Sequence, residues 1–205
     1  MILHDYLPSG NGYKIRLLLS LLGQSYQLKS YDIVKGESRT AEFLALNPNG
    51  KIPVLEFDDG RCLAESNAVL FYLAQGTPFW PQDVWQQAQV IKWMSFEQYS
   101  HEPNIASPRF WLTHAGVTAE RQAQLADKQQ QGYAALAVME QHLSQHDYFV
   151  ANTLTIADIA LYAYTHVAEE GGFDLQKFPA VLAWLERVAQ VNNYVSINDD
   201  SARVS

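Results

Sequence analysis

Residues 54–64 read Val54-Leu55-Glu56-Phe57-Asp58-Asp59-Gly60-Arg61-Cys62-Leu63-Ala64. Two short apolar-rich runs flank an Asp-Gly pair, the residue types that tolerate the left-handed backbone of a tight hairpin turn, so this stretch predicts two antiparallel strands. The segments before it predict a different pattern. Ile2 to Tyr6 reads as a short strand, and Gly12 to Leu22 as a helix with Ile15, Leu18, Leu19 and Leu22 at helical spacing and a stop at Gly23. Tyr26 to Tyr31 alternates at period two and predicts a second strand, with a helix over Thr40 to Leu46 returning toward the sheet. Beyond the hairpin, Ser66 to Ala74 closes the unit as a helix. The order is therefore βαβα followed by ββα. A Rossmann half would continue with parallel strands and a glycine-rich phosphate turn, which the hairpin excludes.

Further along, no segment predicts a strand. Val84 to Tyr99, Ala119 to Leu143, Ile156 to Glu170 and Ala180 to Val191 all carry helical spacing, so the second half reads as a helical bundle. Between the halves, Gly76-Thr77-Pro78-Phe79-Trp80-Pro81 interrupts helix on both sides. This sets the expected organisation: an α/β domain over 1–76, a linker over 77–83 and an all-α domain over 84–205. The run Leu154-Thr155-Ile156-Ala157-Asp158-Ile159 predicts a capping box. Thr155 caps the amide of Asp158 while the Asp158 carboxylate reaches back, and the apolar residues beyond surround the helix axis as in a core helix. Asp158 is accordingly read as a cap rather than a catalytic acid.

Composition narrows the function classes. The chain has 205 residues, 48% of them hydrophobic and 18% charged, which supports a packed core and excludes disorder. Residues 1–80 carry seven Lys/Arg against eight Asp/Glu, and residues 81–205 seven against fourteen, giving −1 and −7. An overall charge of −8 argues against a nucleic-acid or anionic-membrane partner, either of which needs a basic face. No window approaches the roughly 18 apolar residues of a membrane span. The opening MILHDYLPSGNGYKIR lacks the apolar run of a secretory signal, so a cytoplasmic location is expected. The one cysteine, Cys62, leaves no intramolecular disulfide and no cysteine-based metal cluster. It lies in a predicted strand and is read as a small core residue.

Four motifs in this order carry a resemblance: YLPSGNGYKIR at the first strand-to-helix turn, NPNGKIPVLE before the hairpin, AESNAVLFYL at the last helix of the first domain, and TLTIADIALY in the second. Together, over essentially the whole chain, they resemble the cytosolic glutathione transferase family, in its bacterial-type form with a serine/asparagine N-terminal motif. The resemblance implies a thioredoxin-like βαβαββα domain followed by a helical bundle. It also implies a homodimer with two-fold symmetry, and glutathione as co-substrate with no permanently bound cofactor and no metal. The expected activity is detoxifying conjugation of glutathione to a small hydrophobic electrophile, or its use to reduce one, with accessory peroxidase or disulfide-bond reductase activity in view. The alternative is a transferase-like protein that binds or scaffolds without catalysis.

Glutathione carries two carboxylates, one amine and one thiol. A site for it needs anion donors at two ends and a backbone ladder between them. Glu65 and Ser66 stand where a strand passes into a helix. Ser66 is read as the N-cap, its neighbouring amides as a carboxylate site, and the acid-serine pair as the family's partner for the γ-glutamyl end. Ile52 and Pro53 open the hairpin; the resemblance implies a cis bond there and pairing of the Ile52 backbone with the cysteinyl portion. Lys35 and Lys51 are the candidate partners of the glycyl carboxylate.

The chemistry is assigned to Ser9-Gly10-Asn11-Gly12. A free thiol has a pKa of about 8.5, so only a few per cent is thiolate at neutral pH, and a donor aimed at the sulfur from a helix N-terminus raises that fraction. Ser9 is the first candidate, Asn11 the second and Tyr6 the third, the last because some relatives use a tyrosine near the end of the first strand. The first helix has no cysteine, which disfavours chemistry through a protein thiol, and no Ser-Ser-Cys triplet precedes Tyr13. The electrophile is expected against the helical domain. There Trp93, Phe96, Tyr99, Phe110 and Trp111 surround Ser100-His101-Glu102-Pro103, a predicted helix break; Tyr99, Phe110 and Trp111 are the candidate contacts.

Overall fold

The computed structural model describes residues 1–199, and they form two compact units. In the first, β1 (Ile2–Asp5), β2 (Gln27–Ser30), β3 (Val54–Glu56) and β4 (Cys62–Ala64) make a mixed sheet in the order β2-β1-β3-β4. β1 pairs parallel with β2, setting Leu3 opposite Leu28, and antiparallel with β3, setting Leu3 opposite Leu55. A parallel neighbour requires a crossover, which α1 (Gly10–Leu21) supplies, whereas the Asp-Gly turn suffices for β3 and β4. α2 (Ala41–Leu46) begins at Thr40, whose hydroxyl accepts from the Phe43 amide, and α3 (Ser66–Ala74) follows β4. Leu3, Ile15, Leu18, Leu19, Leu55, Val69 and Leu70 are fully buried and form the core between sheet and helices.

α1 departs from the one-sided pattern expected of it. Gly12 to Ser20 are all buried, including Lys14 and Arg16. The reason lies partly in the end of the described chain: from Asn192 onward it groups with the first unit rather than with the helices that precede it. Tyr13 donates its hydroxyl to the Val195 carbonyl at 2.7 Å, Ser20 donates to the Asn193 carbonyl at 2.7 Å, and Arg16 Nη1 donates to the Ile197 and Asp199 carbonyls at 2.9 and 3.2 Å. Among the described residues the second unit therefore ends at Val191, and residues 200–205, to which the helical domain was expected to run, lie outside the described residues. Residues 77–83 also differ from a free linker. They belong to the second unit, where the Phe79 carbonyl accepts from the Ile156 amide at 3.1 Å.

The second unit holds α4 (Val84–Phe96), α5 (Glu102–Phe110), α6 (Ala119–Leu143), α7 (Ile156–Thr165) and α8 (Pro179–Ala189). The helix break expected at Ser100-His101-Glu102-Pro103 is absent. A π-helical turn over Glu97–His101 carries α4 into α5, and a second over Trp111–Ala115 follows α5. Pro103 has no N–H to contribute to the rod, and the widened turn before it accommodates its ring without breaking the helix. The capping box is present as read. Both oxygens of buried Asp158 are occupied: the Thr155 amide and hydroxyl reach one at 2.9 and 3.0 Å, while the Phe149 amide and Trp184 Nε1 reach the other at 3.1 Å each. α7 ends at Thr165, short of the expected Glu170, and a 3₁₀ turn over Ala168–Gly171 follows. Among the described residues no helix is long and apolar enough to cross a membrane.

Candidate functional site

β1 ends at Asp5, and the chain turns at Tyr6-Leu7-Pro8 before α1 begins. Ser9 is the N-cap in extended backbone. Its amide donates to the Tyr6 carbonyl at 2.7 Å, and its Oγ accepts from the Gly12 amide at 3.4 Å, which leaves the hydroxyl hydrogen available to donate outward. Asn11 lies in the first turn, half-buried. Tyr6 is half-buried too, with its amide bound to the Asp5 carboxylate at 2.7 Å.

The turn is fixed from behind. Arg16 Nε donates to Asp5 at 3.1 Å and Nη2 to the Leu7 carbonyl at 2.6 Å, so a buried ion pair ties the strand end, the turn and the helix together. Burial nevertheless pushes the Asp5 carboxyl up to about 6 against the opposing pull of Arg16. Gly12 fits against this pair because it has no side chain: a Cβ there would run into the Asp5 carboxylate.

α3 brings the other half of the site. The expected N-cap role of Ser66 is corrected. Glu65 occupies that position at a positive φ of 67°, and Ser66 is the first helical residue. Its hydroxyl is thereby released from capping and donates to Asn11 Oδ1 at 3.2 Å. Lys14 Nζ, fully buried, lies 3.4 Å from Ser66 Oγ and 3.5 Å from Asn67 Oδ1. Asn11, Lys14, Ser66 and Asn67 thus join the first turns of α1 and α3. Glu65 is exposed beside them. Lys14 and Asn67 escaped the sequence reading because a lysine inside YKIRLLLS reads as a solvated charge; the available signal was its i, i+3 spacing from Asn11, which places both on one helix face.

The hairpin mouth contains the cis Ile52–Pro53 bond. Asn47 shapes the turn before it, donating from Nδ2 to the Lys51 carbonyl at 2.7 Å and accepting from the Asn49 amide at 3.1 Å. Pro53 is buried, Ile52 packs half-buried against Tyr31, Phe43 and Val54, and Lys51 is exposed. Lys35 sits in the loop after β2, where Asp32 pairs with it at 2.9 Å; that bond holds the ammonium above its usual range. Cys62 is exposed, not in the core: it is the first residue of β4, next to the hairpin turn. Partial desolvation and the Glu56 carboxylate push its thiol up, which makes it a poor nucleophile.

In the helical unit the five aromatic residues divide. Trp93 is buried against Phe96, His142 and Phe149 at ring separations of 5.4, 4.9 and 4.6 Å. Tyr99 is 85% exposed, while Phe110 and Trp111 are half-buried at the end of α5, Phe110 lying 6.1 Å from the His114 ring. Among the described residues no three His, Cys, Asp or Glu side chains are grouped to hold a metal ion.

Residues 1–75 match the family model for the glutathione S-transferase N-terminal domain, and residues 91–192 that for the glutathione S-transferase C-terminal domain. A glutathione S-transferase structure from Pseudomonas fluorescens superposes with a TM-score of 0.94 at 49% identity, covering 97% of this chain and 98% of that one. A structure of Ure2p in complex with glutathione reaches 0.85 at 25% identity, covering 94% and 95%. Glutathione S-transferase-like protein LUC7 of a Fusarium species is 31% identical over 92% of this chain and 88% of its own length.

Proposed function

The chain belongs to the glutathione S-transferase family, and from that premise we propose that it is a catalyst that binds glutathione in its first unit, stabilises the thiolate and delivers it to a small hydrophobic electrophile. The observation that carries the reading is the Ser66–Asn11 hydrogen bond of 3.2 Å, which connects the turn assigned to the thiol with the helix start assigned to the γ-glutamyl end. The first amides of α3 face no earlier helical carbonyl and receive the γ-glutamyl carboxylate, while exposed Glu65 meets the ammonium. The backbone of Ile52, beside Pro53, pairs with the cysteinyl portion. Lys51 and Lys35 take the glycyl carboxylate, Lys35 by exchanging its exposed bond to Asp32. Sulfur then lies at the start of α1, where the Ser9 hydroxyl, with its oxygen already engaged as a cap, donates to the anion and Asn11 supplies a second donor.

The protein acts as a cytoplasmic homodimer. The thiolate attacks an electrophilic carbon in conjugation, or a peroxide or disulfide bond in reduction. Retention on immobilised glutathione, followed by a thiolate absorbance titration of the bound tripeptide, tests the reading. Ser9→Ala is expected to lower turnover about tenfold or more with little change in glutathione affinity, since the lost donor acts on the anion. Unchanged turnover moves the role to Asn11, then to Tyr6, and the same assay on Asn11→Ala and Tyr6→Phe decides between them. Binding with an unshifted thiol would instead identify a non-catalytic glutathione-binding protein.

A further inference from the structure

We propose that Lys14 is a positioning residue for the thiol site: through the Ser66 hydroxyl it orients the side-chain amide of Asn11, so that the contact serving the γ-glutamyl end also fixes the donor offered to the sulfur. The inference rests on the glutathione reading above and adds to it a coupling between the two ends of the ligand.

The direction of the hydrogen bonds carries the argument. An ammonium only donates, so at 3.4 Å Ser66 Oγ accepts from Lys14 Nζ. The single hydroxyl hydrogen of Ser66 is then directed to Asn11 Oδ1 at 3.2 Å. An amide whose oxygen is held on one side presents its NH2 group away from that side. Only the NH2 group can donate to a sulfur anion; the flipped amide would set an oxygen lone pair against it. Lys14 lies at the long end of hydrogen-bond range but is fully buried, where a hydrogen bond received by the Ser66 oxygen polarises its O–H and makes the hydroxyl a stronger donor. Asp5 and Arg16, which flank the same turn, are engaged with each other, and Glu65, beside Ser66, is exposed to solvent.

The test is a thiolate titration of glutathione bound to the wild type, Lys14→Met, Lys14→Arg, Asn11→Ala and the Lys14→Met/Asn11→Ala double variant, with turnover measured across pH and thermal melting as the check on folding. Lys14→Met is expected to raise the bound thiol by about one pKa unit, reducing the thiolate fraction and turnover near pH 7 severalfold, by at most about tenfold. That loss shrinks as the pH rises past the new thiol pKa, a recovery that a merely structural defect would not show. Lys14→Arg, which can still donate to Ser66, recovers most of the activity. The double variant loses no more than Asn11→Ala alone, because Lys14 acts through that amide. If Lys14→Met does not fold, Lys14→Leu, which likewise cannot donate, enters the same cycle. A thiol titration unchanged by the neutral substitution, or losses that multiply in the double variant, overturns the inference while leaving the glutathione site standing. A wild-type protein that binds no glutathione overturns both.

Discussion

At the scale of the single residue, the site depends as much on what is missing as on what is present. Gly12 has no side chain, and the buried Asp5 carboxylate fills that space, held there by Arg16 and the Tyr6 amide. An alanine at this position cannot be accommodated by a flexible end moving aside, because both oxygens of the buried Asp5 carboxylate are held, one by Arg16 and one by the Tyr6 amide. Gly12→Ala is therefore expected to destabilise the protein by about 2 kcal/mol or more and to lower turnover by displacing the first turn of α1, read by thermal melting and steady-state kinetics. The place of Ser9 and Asn11 at the start of α1 was legible in the sequence, because a Ser-Gly-Asn-Gly run after a strand reads as a turn that opens a helix. Lys14 was not: its role comes from a helix buried on every side, which apolar spacing alone does not reveal. Cys62 shows the converse, since an apolar residue type in a strand says nothing about which face of the sheet it occupies.

Among the elements, α1 is the one most constrained by distant parts of the chain. Its Tyr13, Arg16 and Ser20 side chains all donate to carbonyls between Asn193 and Asp199. These polar contacts leave no trace in hydrophobic periodicity, which is why the segment was assigned to the helical domain. Tyr13→Phe and Ser20→Ala each remove one such bond, worth about 1 kcal/mol. The double variant is expected to speed amide hydrogen exchange over residues 192–199 while exchange in α7 stays unchanged; equal acceleration in both would show that the bonds do not act locally. The four strands and α3 could be read from the sequence because alternation and turn chemistry act over a few residues. The π turns on either side of α5 could not, because Pro103 marks where a helix changes its hydrogen bonding but not whether it stops.

For the whole molecule, acid stability offers a test that spans both units. Asp5 in the first and Asp158 in the second are each pushed up to about 6 by burial, which outweighs their hydrogen-bond donors. A carboxyl with a higher pKa folded than unfolded holds its proton more tightly in the fold. Its contribution is fully present below about pH 4 and is lost as the pH rises through about 6, a change of at most roughly 3 kcal/mol for each group. Asp158→Asn loses hydrogen bonds of the capping box at every pH but no longer titrates. The difference in melting temperature between wild type and variant should accordingly be largest near pH 4 and narrow toward neutrality; a gap that widens would mean the donors outweigh burial. Connectivity has its own consequence. Because the backbone leaves the sheet-bearing unit at Gly76 and rejoins it at Asn192, the helices are a guest spliced into a host. A gene cut once at that first crossing would encode a host lacking its clasp, and only a two-point excision, or a permuted chain with new ends, could give each part all of its own sequence.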